Sequence, residues 1–171
     1  MATNLEFIKS VSSSASVTSV DITDCFSDKY DVYMLTFADV DLAGAGDENI
    51  DIRLLDSGGS AISASEYDYA LLVLRYGSAF TETKATGQAQ FTFGAGYVTA
   101  SNIGAGGLTA YFFNPYDSSS YTFTQHQQSN SAGHSGQKYI GVHKSAEQIT
   151  GFQINAAAAL TLEVSVYGVK G

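Results

Sequence analysis

The segment Leu160-Thr161-Leu162-Glu163-Val164-Ser165-Val166-Tyr167 decides the fold. Leu160, Leu162, Val164 and Val166 fall on one face of an extended chain, and Thr161, Glu163, Ser165 and Tyr167 on the other, a period of two that a helix cannot produce. A strand with one apolar face must lie on a core, so this one is expected to close the core at the C-terminus. The same alternation recurs outward from it. Tyr33, Leu35 and Phe37 alternate with Val32, Met34 and Thr36, while Ile50, Ile52 and Leu54 alternate with Asp51 and Arg53. Tyr67-Asp68-Tyr69-Ala70-Leu71-Leu72-Val73-Leu74-Arg75 passes from alternation to continuous apolarity, as a strand buried on both faces would, and is expected near the centre of a sheet. Phe91 with Phe93, Leu108 to Phe113, and Tyr121 with Phe123 mark further strands.

Turn-forming clusters separate these runs: Ser12-Ser13-Ser14, Ala43 to Asp47, Ser57-Gly58-Gly59-Ser60, Gly104-Ala105-Gly106-Gly107, Ser118-Ser119-Ser120 and Ser129 to Gly133. The single proline, Pro115, follows a strand and does not interrupt one. Ala156 to Ala159 is too short to nucleate a helix and reads as a tight connection. About nine or ten short strands with such turns predict an all-β chain folded as an antiparallel β-sandwich, jelly-roll-like. No linker or repeat divides it, so residues 1–171 are expected to form one domain.

Composition narrows the function classes. Hydrophobic residues make up 44% and charged residues 15%, which excludes a disordered chain. Eight Lys and Arg against 17 Asp and Glu give a formal charge of -9, so neither nucleic acid nor an anionic membrane is an expected partner. No run approaches the roughly 18 to 20 apolar residues that span a bilayer. Cys25 is the one cysteine and has no internal partner, and no Cys/His spacing closes a zinc site. Met1 to Ile8 has no cationic head before an apolar run, so synthesis in a cytoplasm without a secretory signal is expected.

Several strings imitate chemistry. Asp56-Ser57-Gly58-Gly59 looks like the nucleophile segment of a chymotrypsin-type protease, but His126, His134 and His143 all follow Ser57, whereas that fold places the base before the serine. A glycine turn is the expected reading. Gly133-His134-Ser135-Gly136 lacks the spacing of a nucleophile elbow, and Gly94-Ala95-Gly96 and Gly104-Ala105-Gly106 lack the helix that a phosphate cradle needs. The carboxylates Asp21, Asp24, Asp28 and Asp31, and Asp39, Asp41, Asp47, Glu48 and Asp51, match no calcium-loop spacing and are expected to be solvated. His126 and His143, flanking the polar stretch Gln125 to Gln137, are expected in exposed loops, with a place near an intersubunit surface as the functional alternative. Glu66 with Asp68 is one carboxylate pair that a glycan-cleaving enzyme would need, without the sequence ranking it above others. No catalytic, cofactor or metal residues are assigned, and the chain is not expected to be an enzyme. The residues expected to meet a neighbour are the edge and loop aromatics Tyr111, Phe113, Tyr116, Tyr121 and Phe123.

Three stretches carry a resemblance: Val20 to Leu35, with its Tyr-Asp-Val-Tyr strand at 30–33; Ile52 to Gly59; and Ile149 to Ile154 followed by Val164 to Gly168. Together the chain resembles virion structural proteins of tailed bacteriophages, the marine and cyanobacterial ones especially. That resemblance implies a jelly-roll-type capsid decoration, head-fibre or tail component, assembled in the host cytoplasm and resident in the virion. It also implies identical subunits, a trimer foremost, and other virion proteins such as the major capsid protein or tail proteins as partners. A receptor- or glycan-binding sandwich of a tail fibre shares the same fold evidence and stands as the alternative.

Overall fold

A computed structural model describes residues 4–14, 17–42, 49–75, 77–95, 106–130 and 135–171. Twelve strands form two antiparallel sheets among them. The larger sheet runs β1 (Leu5–Ser13), β12 (Leu160–Val169), β3 (Val32–Leu42), β8 (Gly106–Phe113), β9 (Thr122–Asn130), β10 (Ser135–His143), β5 (Tyr67–Arg75) and β6 (Thr81–Gln88). The smaller runs β2 (Ser19–Ile22), β11 (Gly151–Ala156), β4 (Asn49–Leu55) and β7 (Phe91–Ala95). The order β1-β12-β3-β8 against β2-β11-β4-β7 is that of a jelly roll, the chain passing repeatedly between two four-stranded sheets. The remaining strands are two insertions. β5 and β6 lie between β4 and β7 in sequence, β9 and β10 between β8 and β11, and together they extend the larger sheet beyond β8. No helix long and apolar enough to cross a membrane occurs among the described residues.

The alternation read in the sequence builds the core. Leu160, Leu162, Val164 and Val166 are buried on β12, as are Tyr33, Leu35 and Phe37 on β3 and Ile50, Ile52 and Leu54 on β4. Aromatic rings join the sheets. Phe112 of β8 stacks on Phe152 of β11 at 6.2 Å, and Phe26 packs edge-on against Tyr33 at 4.8 Å. Tyr67 and Phe91 meet edge-to-face at 4.8 Å where β7 reaches under the extension. The buried Tyr67 hydroxyl accepts the Leu54 N–H (3.1 Å) and donates to the Ile62 carbonyl (3.0 Å). Tyr67→Phe keeps the ring and strands both groups, so equilibrium urea unfolding should show a loss of about 1–3 kcal/mol.

The protease-like string is the turn after β4. Asp56 Oδ1 accepts the N–H groups of Gly58 (2.8 Å) and Ser60 (2.9 Å), and Gly59 takes φ +79°, which side-chain-bearing residues rarely adopt. Ala157 to Ala159 are the tight connection between β11 and β12.

Three expectations need correction. Tyr67–Arg75 is not central: β5 lies one strand from the sheet's end, and after buried Tyr67 it is half-buried on both faces through Leu74. About nine or ten strands were expected, and twelve form among the described residues, β6 among them without an apolar face to announce it. His126 and His143 lie in strands and not in exposed loops, with 4% and 0% exposure. Ala43 to Glu48, Gly104-Ala105 and Ser131 to His134 lie outside the described residues.

Candidate functional site: the outer face of the larger sheet

Register places one continuous row across all eight strands: Phe7, Tyr167, Met34, Tyr111, Gln125, Ile140, Ala70 and Lys84. The next row runs Leu5, Val169, Val32, Phe113, Phe123, Val142 and Asp68. On the other side lies a more polar row, Ser165, Thr36, Thr109, Gln127, Lys138, Leu72 and Glu82. These positions alternate with the core-facing ones and so point away from the smaller sheet. Ile140 is 64% exposed and Phe7 57%. Phe7 packs edge-on against Tyr167 at 5.7 Å, and Tyr111 stacks on Phe113 at 6.5 Å. Toward β5 and β6 the face is concave, forming a groove of about 910 Å³ lined by Tyr111, Gln125, Ile140, Leu72, Glu82 and Lys84 among others.

Of the five aromatics singled out from the sequence, Tyr111, Phe113 and Phe123 come together on this face. Tyr116 and Tyr121 lie in the connection between β8 and β9, the first half-buried and the second exposed. Sequence reasoning missed Phe7, Met34, Ile140 and Tyr167. The signal for part of the face was present in β5, whose unbroken apolar run gives both faces of one strand something to cover.

The inner face of the extension has the opposite character. Thr122, Thr124, His126 and Gln128 of β9 and Gln137 and His143 of β10 are buried. His126 lies between Phe93 and Tyr139, with ring centroids 4.3 Å from each, and neither ring nitrogen has a hydrogen-bond partner. Burial holds its pKa down to about 3, so the imidazole is neutral at pH 7.

One further grouping of titratable side chains sits at the sheet's end. Glu66 precedes β5, His143 ends β10 and pairs with Tyr67, and Glu147 lies in the loop to β11. His143 Nε2 lies 3.3 Å from Glu66 Oε2 and 3.8 Å from Glu147 Oε1. The Glu66–Asp68 pair weighed from the sequence is not brought together as an ion-binding or acid–base pair: Asp68 instead bonds Lys144 at 2.9 Å and accepts the Gly87 N–H at 2.7 Å.

No protein-family model matches the chain, and no curated protein matches its sequence. Solved structures offer faint likenesses. The CBM2 module of the evolved Dit of Lactobacillus casei BL23 phage J-1 is 10% identical, covering 90% of this chain and 69% of that one, with a TM-score of 0.28. A β-fructofuranosidase from Schwanniomyces occidentalis, complexed with fructosyl-erythritol, is 6% identical over 98% of this chain and 35% of its own, at 0.26. The tailspike protein gp49 of Acinetobacter baumannii bacteriophage Fri1, a capsular polysaccharide depolymerase, is 10% identical over 90% and 20%, at 0.19. Scores this low carry no argument about kinship or activity.

Proposed function

We propose that the chain is a non-enzymatic structural subunit of a bacteriophage particle, associating with identical subunits through the outer face of its larger sheet and docking on neighbouring virion proteins. The observation that carries this reading is the pair of apolar rows spanning that face. A solvated sheet face alternates with polar residues, whereas here Phe7, Phe123 and Ile140 stand exposed in register with half-buried Tyr167, Met34, Tyr111 and Val142. At one strand spacing by two residues per position, the two apolar rows cover about 400 Å², the size of the largest and often functional patch on a monomer, and the third row brings the face to about 600 Å², approaching the roughly 800 Å² per partner of a stable interface. The polar third row supplies a rim. Glu82, Lys84 and Lys138 put both signs of charge at one end of the face, which limits like-charge repulsion there despite the net -9.

The trimer suggested by the sequence resemblance is the assembly to test. Sedimentation equilibrium should give three times the monomer mass. Ile140→Lys with Phe123→Glu should weaken association at least about a hundredfold, as the loss of central anchors does, while the β-sheet circular dichroism stays unchanged. A monomer at all concentrations for the parent chain would overturn the reading; a dimer sensitive to the same changes would retain the face and replace the trimer.

The groove supports a second reading, a glycan-binding module. Tyr111 beside Gln125, Lys138 and Glu82 offers a flat ring and amide and charged groups within one concavity, the donor set that holds a sugar. A glycan array with reproducible hits that vanish in Tyr111→Ala would favour it over self-association.

A further inference from the structure

We propose that Glu66, His143 and Glu147 form a divalent-cation site, best suited to Zn²⁺, that pins the start of β5 and the end of β10 to the loop leading into β11. The three donor atoms lie within 4.8 Å of one another. A tetrahedral zinc ion with ligands at about 2.0–2.2 Å separates neighbouring donors by somewhat over 3 Å. The 3.3 Å and 3.8 Å separations from Nε2 are close to that spacing, and the two carboxylate oxygens, within 4.8 Å of each other, can close on the same ion by small side-chain rotations.

The group is poorly explained without a cation. The His143 side chain is wholly buried, and neither ring nitrogen makes a hydrogen bond, Nε2 facing Glu66 without the alignment that one requires. A buried imidazole with nothing to bond is costly. An imidazolium bridging the two carboxylates would carry a second proton on Nδ1, which has no hydrogen-bond partner among the described residues. Neutral imidazole is the form that ligates metal. Two carboxylates then face each other across it, and neither makes an ion pair with Lys or Arg among the described residues: Lys144, next in sequence to His143, is committed to Asp68.

The donor set selects the ion. One nitrogen and two carboxylate oxygens suit a borderline cation such as Zn²⁺, whereas Ca²⁺ takes six to eight oxygens. Both carboxylates are about a third exposed, so a fourth position opens to water or to a neighbouring molecule's donor. The three residues come from three separate elements, which explains why no spacing in the sequence announces them.

The test uses the whole chain after chelator treatment and dialysis, with ZnCl₂ as the probe. Calorimetric titration should give one Zn²⁺ per chain with a dissociation constant in the micromolar range or tighter, and saturating Zn²⁺ should raise the melting temperature. Glu66→Gln and Glu147→Gln, which preserve shape and fold, should each weaken binding tenfold or more; His143→Gln should abolish it. Glu163→Gln, exposed on β12 and four strands from β10 in the sheet, should bind as the parent does. The proposal is overturned by absence of binding at 100 µM Zn²⁺, or by binding that both glutamine variants leave unchanged. Neither result depends on the assembly state, so the proposed self-association stands or falls separately.

Discussion

Acidification from pH 7 to pH 5 should destabilise the fold before its carboxylates titrate. His126 has an ordinary pKa near 6.5 when unfolded and about 3 when folded, because burial against Phe93 and Tyr139 disfavours the charged ring. The unfolded chain therefore binds the proton first as pH falls. Stability from this group is complete above pH 6.5 and drains away down to about pH 3, amounting to about 2 kcal/mol lost at pH 5 and about 3 kcal/mol at pH 4. Against a typical domain stability of about 5–15 kcal/mol, that is a large share. Calorimetric melts across this range provide the measurement, with His126→Phe as the control. Phenylalanine fills the space between two aromatic rings and removes two unpaired nitrogens, so the variant should be at least as stable at pH 7 and much flatter between pH 6.5 and 4.5. An unchanged slope in the variant would assign the acid sensitivity elsewhere. Below pH 4.5 both proteins should lose stability together, since Glu6 is held at a pKa of about 2 when folded, first by Lys29 and also by Lys170, while in the unfolded chain it takes up its proton near 4.5.

The second large effect is expected from one methyl group. At Gly151 an added Cβ would stand 2.2 Å from the Ile22 carbonyl oxygen and 3.2 Å from the Thr23 Cα, both backbone atoms that cannot rotate away. Gly151→Ala must therefore separate β11 from the end of β2. The strain falls on a junction, because Thr150 accepts the N–H groups of Cys25 and Phe26 (3.0 and 3.1 Å) and donates its own to Leu55 (3.0 Å). Its hydroxyl also donates to the Asp56 carbonyl at 2.8 Å. A loss of about 3 kcal/mol or more is expected, the upper end for overpacking, since backbone must move. Gly107→Ala makes the comparison: its Cβ would meet only the Phe37 carbonyl at 3.8 Å, an ordinary contact, and urea unfolding should change by less than about 0.5 kcal/mol. Equal effects from the two substitutions would refute the steric account.

The sequence was legible where one face of a strand meets the core and the other meets water. Leu160 to Tyr167 is such a strand, and both its alternation and its place were read correctly. β9 was read only in part, because its polar positions are the covered ones: Phe123 faces outward, as expected of a residue that meets a neighbour, while His126, expected in an exposed loop, is buried against Phe93 of the smaller sheet. Alternation fixes the period but not which face is inside. β6, Thr81-Glu82-Thr83-Lys84-Ala85-Thr86-Gly87-Gln88, is exposed at most of its positions and has no apolar face to detect. Three of the five chosen aromatics do share a surface, found because exposed rings beside turns stand out. Glu66, His143 and Glu147 had no such signal, since only the pairing of β5 with β10 brings them together.

The edges of the larger sheet limit how copies of this chain can add to one another. β6 carries Glu82 and Lys84, and its pairing with β5 slips between Tyr67 and Tyr69. At the opposite edge β1 carries Lys9, and its register shifts between Phe7 and Lys9. The outer strands of the smaller sheet, β2 and β7, are only four and five residues long. Charge, irregular register and shortness all discourage strand-by-strand templating. Copies are thus steered away from open-ended polymerisation, and a chain held at high concentration would resist growing into fibres while its broad face stayed available for finite contacts.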